Sequence, residues 1–136
     1  MQELERFAAL AGERYVSLTT FKRDGSTAST PVWVVSDDGK RLLVWTGADT
    51  WKVKRIRRDP SVRVTPSDGR GRVRGESLDG TARLLGPDAA AIVEPLLRKK
   101  YGFVKRALDI FNGVMRAVGR RSTTASEYIE ILPTAH

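Results

Sequence analysis

Apolar positions along this chain recur with two periods, and the switches between them mark out its elements. Residues 2–11 carry Leu4, Phe7, Ala8 and Ala11 at spacings of three and four, which predicts a short amphipathic helix. The run RYVSLTTF (Arg14–Phe21) is rich in β-branched and aromatic residues and predicts a strand. An Asp24-Gly25 turn signal follows, then a second strand from Thr27 to Val35. A further turn at Asp38-Gly39 leads to a third strand, Leu42–Trp45, completing a meander.

Helical spacing returns from Trp51 to Arg58. A side-chain oxygen of Thr50 or Asp49 is placed to take the free amides of the first turn. Pro60 ends the element, because the residue before proline is pushed out of the helical region. In SVRVTPS (Ser61–Ser67), Val62 and Val64 alternate with Arg63 and Thr65, which predicts a fourth strand. DGRGRVRGES reads as a loop or a frayed edge, and LDGTARLLG (Leu78–Gly86) as a fifth strand. Asp88 is placed to cap a helix running to about Lys100, which Gly102 interrupts. A second amphipathic helix is expected from Phe103 to Val118, with Ala107, Ile110, Phe111 and Val114 on its apolar face. Finally ASEYIEILP sets Tyr128 and Glu130 against Ile129 and Ile131, and is expected to close the sheet as a sixth strand. Six short antiparallel strands with a few helices predict a mainly β, α+β barrel occupying residues 1–136 as one domain.

Composition narrows the chemistry. The 136 residues are 40% hydrophobic and 29% charged, an ordinary balance for one globular domain. There is no cysteine, which excludes disulfides and thiolate catalysis. The one histidine is His136, so no Ser–His or His–metal constellation can form within a chain, and no metal site is expected. The start, MQELERFAAL, has neither the basic nor the apolar region of a signal peptide, and a cytoplasmic location is the expectation. The net charge is +8 and is uneven. From Thr46 to Arg74 nine Lys/Arg face three Asp, and from Arg98 to Arg121 eight face Asp109 alone. Such blocks imply an anionic partner: nucleic acid, a membrane surface or a polyanionic small molecule.

TGADTWKVKRIRRDP (Thr46–Pro60) is the most informative stretch. Thr46 ends a strand, Thr50 caps a helix and Lys52 lies in its first turn, so hydroxyls, amides and an ammonium can converge on one phosphate. Lys52 and Arg55 share a face, while Val53 and Ile56 point inward. A capped surface helix with solvated cations fits the spacing equally well. Trp45 and Trp51 bracket the stretch and can contact a ring system, whereas Trp33 in PVWVV fits a core or an interface. GRGRVRG (Gly69–Gly75) lacks the third glycine of a dinucleotide fingerprint, since Arg74 stands there. It reads as a mobile hairpin tip or as an Arg–Gly contact to nucleic acid. The basic helix with Arg116, Arg120 and Arg121 fits packing on the sheet or a second subunit better than a membrane surface. The carboxylate pairs Asp37–Asp38 and Glu127–Glu130 carry no catalytic signal.

With these residues in view, the chain resembles the pyridoxamine 5′-phosphate oxidase-like superfamily of FMN-binding split barrels, and within it the deazaflavin (coenzyme F420)-dependent oxidoreductases. The resemblance covers nearly the whole chain and is densest in YVSLTTFKRDGSTASTPVWVV, in DGKRLLVWTGADTWKVKRIRRDPSVRVTPSDGRGRVRG and in LDGTARLL. It implies a six-stranded antiparallel split barrel and a reductase moving a hydride from reduced F420 to an organic acceptor. In FMN-using relatives a Thr and a following Ser-Arg-Lys run hold the phosphate; Thr46, Thr50 and Lys52 fall on the Thr, Ser and Lys, and Trp51 stands at the Arg. A strand Arg of those oxidases is also missing, with Ser29 or Thr30 near its place, so FMN is the alternative cofactor and not the first. By the same resemblance Thr30, Pro31, Val32 and Trp33 border the ring, Arg55 with Lys54, Arg57 and Arg58 faces the polyglutamyl tail, and a homodimer interface holds the site. The partners implied are a small-molecule substrate and a second copy, with no membrane; a nucleic-acid-binding module is the rival class. The catalytic residues are unknown at this point, with Tyr101, Tyr128 and water open as proton donors.

Overall fold

Two tight hairpins begin the sheet of the computed structural model, which describes residues 2–102 and 126–134. β1 (Tyr15–Phe21) turns through Asp24-Gly25 into β2 (Thr27–Val32), and β3 (Val34–Val35) turns through Asp38-Gly39 into β4 (Leu42–Gly47). The Asp38 carboxylate accepts from the amides of Lys40 and Arg41 at 2.8 and 2.9 Å, which gives the second turn its shape. β5 (Ser61–Ser67), β6 (Leu78–Leu84) and β7 (Ser126–Pro133) complete one antiparallel sheet in the order β2-β1-β5-β6-β7-β4-β3.

Among the described residues there are therefore seven strands, where six were expected. The expected Thr27–Val35 strand breaks at Trp33: β2 pairs with β1 at one sheet edge, while β3 pairs with β4 at the other. Because the two edges are joined through one residue, the sheet has to curl until they meet. That is the split of a split barrel. Backbone groups freed by the break find side chains of α3 (residues 90–102). The Tyr101 hydroxyl accepts from Val34 N–H at 2.9 Å and donates to the Arg14 carbonyl at 2.8 Å. The Lys100 ammonium donates to the carbonyls of Ala11, Glu13 and Val34 at 2.5–2.7 Å.

The alternating residues divide into two cores. Val16 and Leu18 of β1, Leu42 and Val44 of β4, Val62 and Val64 of β5, and Ile129 and Ile131 of β7 fill the inside of the curl. On the outer face Leu43 and Tyr128 meet Val93, Leu97 and Tyr101 from α3. β4 is thus buried on both sides, which explains its unbroken LLV run. Each fully buried Val, Leu or Ile contributes roughly 1.5–3 kcal/mol. Gly80 of β6 is required by space: a Cβ there would lie 2.8 Å from Ile131 Cγ2 and 3.1 Å from the Leu132 carbonyl.

Three helix expectations change. α1 (Gln2–Ala9) tightens into a 3₁₀ turn at Leu10–Gly12, which buries Leu10 with Phe7 and leaves Leu4 exposed. Asp88 does not cap α3; Pro87, with its φ already suited to a first helical position, starts a 3₁₀ turn (Pro87–Ala89) one residue earlier. Thr50 does occupy the N-cap of α2 (Trp51–Arg58), but neither it nor Asp49 caps through its side chain. The Thr50 hydroxyl instead donates back to the Gly47 carbonyl at 3.0 Å, across the tight turn leaving β4. The helix expected at Phe103–Val118 lies outside the described residues.

Candidate functional site

Where the sheet edges meet, a cleft of about 240 Å³ opens, lined by Tyr15, Pro31, Val32, Trp33, Trp45, Thr46 and Lys52. One wall comes from the start of β1 and the end of β2, which the pairing of Val16 with Val32 places side by side. The other comes from the end of β4 and the first turn of α2. Trp33, at the break, joins them.

Both indoles are held in place. The Trp33 ring stacks on Tyr101 at 4.3 Å with 9° between the planes, and lies 6.0 Å from Trp45. Trp45 donates its Nε1–H to the Ser126 hydroxyl at 2.9 Å. Thr46 is only 9% exposed, on the floor below α2. Val53 and Ile56 are buried and anchor α2 against β1 and β6, which turns Lys52 toward the cleft. Lys52 is half-buried, and burial, with a smaller contribution from Arg55, pushes its ammonium below the ordinary lysine range. It has no ion pair or hydrogen bond among the described residues. The first-turn amides of α2 lack a side-chain cap as well. Together they form a cationic corner facing aromatic walls.

The structure thus brings together six of the ten residues singled out in the sequence: Pro31, Val32, Trp33, Trp45, Thr46 and Lys52. Thr30 is exposed on β2, opposite Leu18, and Thr50 is turned back to Gly47. Trp51 is 68% exposed, with Lys54 Nζ 4.6 Å and the Arg55 guanidinium 5.9 Å from its ring, so Arg55 does not share the cleft wall with Lys52. Arg58 donates to the Phe21 carbonyl at 2.6 Å. Tyr15 is the cleft residue that the sequence reading passed over. It stood on a predicted strand, but only strand pairing sets it beside Pro31.

Neither tyrosine considered as a proton donor lines the cleft. The Tyr101 phenol is occupied by backbone partners, and burial pushes it up to about 12. The Tyr128 hydroxyl donates to Glu94 at 2.6 Å. The carboxylate pairs are structural. Glu127 accepts from the amides of Gly86 and Tyr128, both at 2.8 Å, and Glu130 receives Arg41 at 2.6 Å and Arg83 at 3.4 Å.

A curled antiparallel sheet with a cationic, indole-walled cleft where its edges meet defines a split barrel of the flavin-binding type. The chain belongs to the pyridoxamine 5′-phosphate oxidase family, whose sequence pattern matches residues 2–119. That family includes oxidoreductases and binds flavin-type cofactors. Solved structures of the same fold include an F420 reductase, at 18% identity and a TM-score of 0.64, covering 95% of this chain and 94% of that one. A conserved hypothetical protein from Mycobacterium tuberculosis is 24% identical with a TM-score of 0.67, over 98% and 80% of the two chains. A FAD-binding protein from Mesorhizobium loti is 16% identical with a TM-score of 0.61, over 99% and 90%. At these identities the likeness is one of fold. No curated protein matches the chain in sequence. Among the described residues no helix is long and apolar enough to cross a membrane.

Proposed function

We propose that this protein is an oxidoreductase that moves a hydride from reduced coenzyme F420 to an organic acceptor, with the cofactor held in this cleft at a homodimer interface. The observation that carries the reading is Lys52: a half-buried ammonium with no ion pair or hydrogen bond among the described residues, beside Thr46, uncapped amides and two indoles. An unpaired buried charge is unfavourable, so a bound anion is the natural complement. Thr46, Lys52 and the α2 amides would hold the phosphate, and Pro31, Val32, Trp33 and Trp45 would flank the ring. When bound, the deazaflavin supplies the hydride-carrying carbon; the protein binds, orients and shields it. This accounts for a cleft with no His or Cys among the described residues of its wall.

The size of the cleft supports the homodimer reading. A volume of about 240 Å³ falls below the roughly 300–1,000 Å³ typical of small-molecule pockets, as expected if a second copy completes the site. FMN is the alternative ligand for the same cradle. Trp51, exposed and outside the cleft where FMN-using relatives are expected to carry a phosphate-binding Arg, favours the deazaflavin.

The test is a titration of the protein with oxidised F420, FMN and a random oligonucleotide, beside a sedimentation measurement of its mass. F420 binding tighter than FMN, by a dimer, is the expected result. Tight oligonucleotide binding, falling steeply with salt and with no response to either flavin, would overturn the reading.

A further inference from the structure

The arginine–glycine stretch after β5 is a built hairpin, although its composition also allowed a frayed edge or a mobile tip. Asp68 N–H donates to the Arg72 carbonyl at 3.0 Å, and Gly71 N–H donates to the Asp68 carbonyl at 3.1 Å. The Asp68 carboxylate accepts from the amides of Arg70 and Arg72 at 2.9 and 3.0 Å. These amides, Arg72 first, hold its carboxyl below the usual carboxylate range. Gly71 takes a φ of +88°, which lets the chain reverse there. Beyond the turn, Val73 bridges back to Ser67, and Arg74 N–H donates to the Pro66 carbonyl at 2.8 Å.

This hairpin lies against the cleft. A Cβ on Gly69 would stand 3.2 Å from the Tyr15 ring, and one on Gly71 would stand 3.6 Å from Pro31 Cδ. Tyr15 and Pro31 are both cleft-lining residues, on the wall formed by β1 and β2. Lys52 belongs to the other wall. Of the hairpin's arginines, Arg74 is engaged by Glu13 at 2.8 Å. Arg70 and Arg72, on either side of Gly71, are exposed and have no ion pair among the described residues. Among the described residues no acidic one lines the cleft. Two guanidiniums with no ion pair among the described residues, Arg72 attracted in part by Asp68, on a hydrogen-bonded turn beside aromatic walls, suit a planar ligand ending in a carboxylate or a similar oxyanion.

We infer that the Asp68–Arg72 hairpin forms the acceptor-side rim of the cleft, where Arg70 and Arg72 select an acceptor bearing an oxyanion. Calling this ligand the acceptor rests on the cofactor reading above. The preference for an anion belongs to the cleft itself and is measurable without cofactor. Calorimetric titration of the full chain with naphthalene-2-sulfonate and the neutral naphthalene-2-sulfonamide reads it directly, since the two share one ring system. Wild type should favour the sulfonate by about tenfold at low salt, the scale of one charge-assisted contact. The Arg70→Ala/Arg72→Ala variant should lose most of that preference, with Lys52 on the other wall keeping the rest, and should keep its affinity for the sulfonamide. An unchanged preference in the double variant overturns the inference, as does equal binding, or no binding, of the two probes by wild type. So does a double variant whose loss falls on a random oligonucleotide and not on the sulfonate. Failure of wild type to bind F420 or FMN sinks the cofactor reading alone and leaves the probe titration standing.

Discussion

Replacing Lys52 with Met keeps most of the side-chain stem in contact with the cleft and removes only the charge. If the ammonium binds a phosphate, its loss removes a hydrogen bond between charged groups, worth about 1.5–3 kcal/mol. The dissociation constant of F420 or FMN should then rise about 10- to 150-fold. Stability of the ligand-free protein should move the other way or not at all, because the wild-type ammonium is half-buried and has no partner among the described residues. The pH dependence carries the same sign. With its folded-state pKa below the ordinary value of 10.5, Lys52 is held more tightly protonated in the unfolded chain. Its charge therefore opposes folding below the lowered pKa, and this opposition is relieved as pH rises toward 10.5. Ligand affinity does the reverse, weakening as the ammonium deprotonates, and that alkaline decline should be absent in K52M. Fluorescence titration across pH and urea denaturation measure the two effects separately. A K52M protein that binds within twofold of wild type, or that loses more than about 1 kcal/mol of stability, refutes the assignment of Lys52 to an anion.

Three further substitutions test the frame around the site. Tyr101→Phe removes the acceptor of Val34 N–H at the sheet break, and should cost about 1–3 kcal/mol in denaturant while altering tryptophan emission through the stacked Trp33. Gly80→Ala forces a Cβ against Ile131 and the Leu132 carbonyl, and should cost about 1–3 kcal/mol, seen as a lowered Tm. Arg41→Met leaves the buried Glu130 with the more distant Arg83 alone, and should destabilise by about 3 kcal/mol at neutral pH. Arg41 also holds the Asp37 carboxyl below its usual value, so this contribution is present above about pH 4 and fades as pH falls and Asp37 protonates. The gap between wild type and Arg41→Met should narrow in acid accordingly.

Local pattern determined much of this protein. The strands, their turns at Asp24-Gly25 and Asp38-Gly39, and the inward Val53 and Ile56 all follow from spacing, since period and turn chemistry act over a few residues. That Thr46 and Lys52 lie together was legible for the same reason: both fall within one short stretch, and both line the cleft. What tertiary structure decided is everything that depends on two distant segments meeting. Pro31 marks the Thr27–Val35 run as an edge without saying where it breaks; it divides at Trp33 because each half finds a different partner strand, and Tyr101 and Lys100 take up the backbone groups released there. Tyr15 enters the cleft only through the pairing of β1 with β2. Arg55 was assigned by helical spacing; it is not among the residues lining the cleft, and its guanidinium lies 5.9 Å from the Trp51 ring while still acting on the Lys52 charge. The Arg–Gly stretch is a hairpin because Asp68 ties its amides together, and only the folded sheet sets it against Tyr15 and Pro31. Local sequence sets which conformations a segment prefers, but a cleft is made where two curled edges close, and closure is a property of the whole sheet.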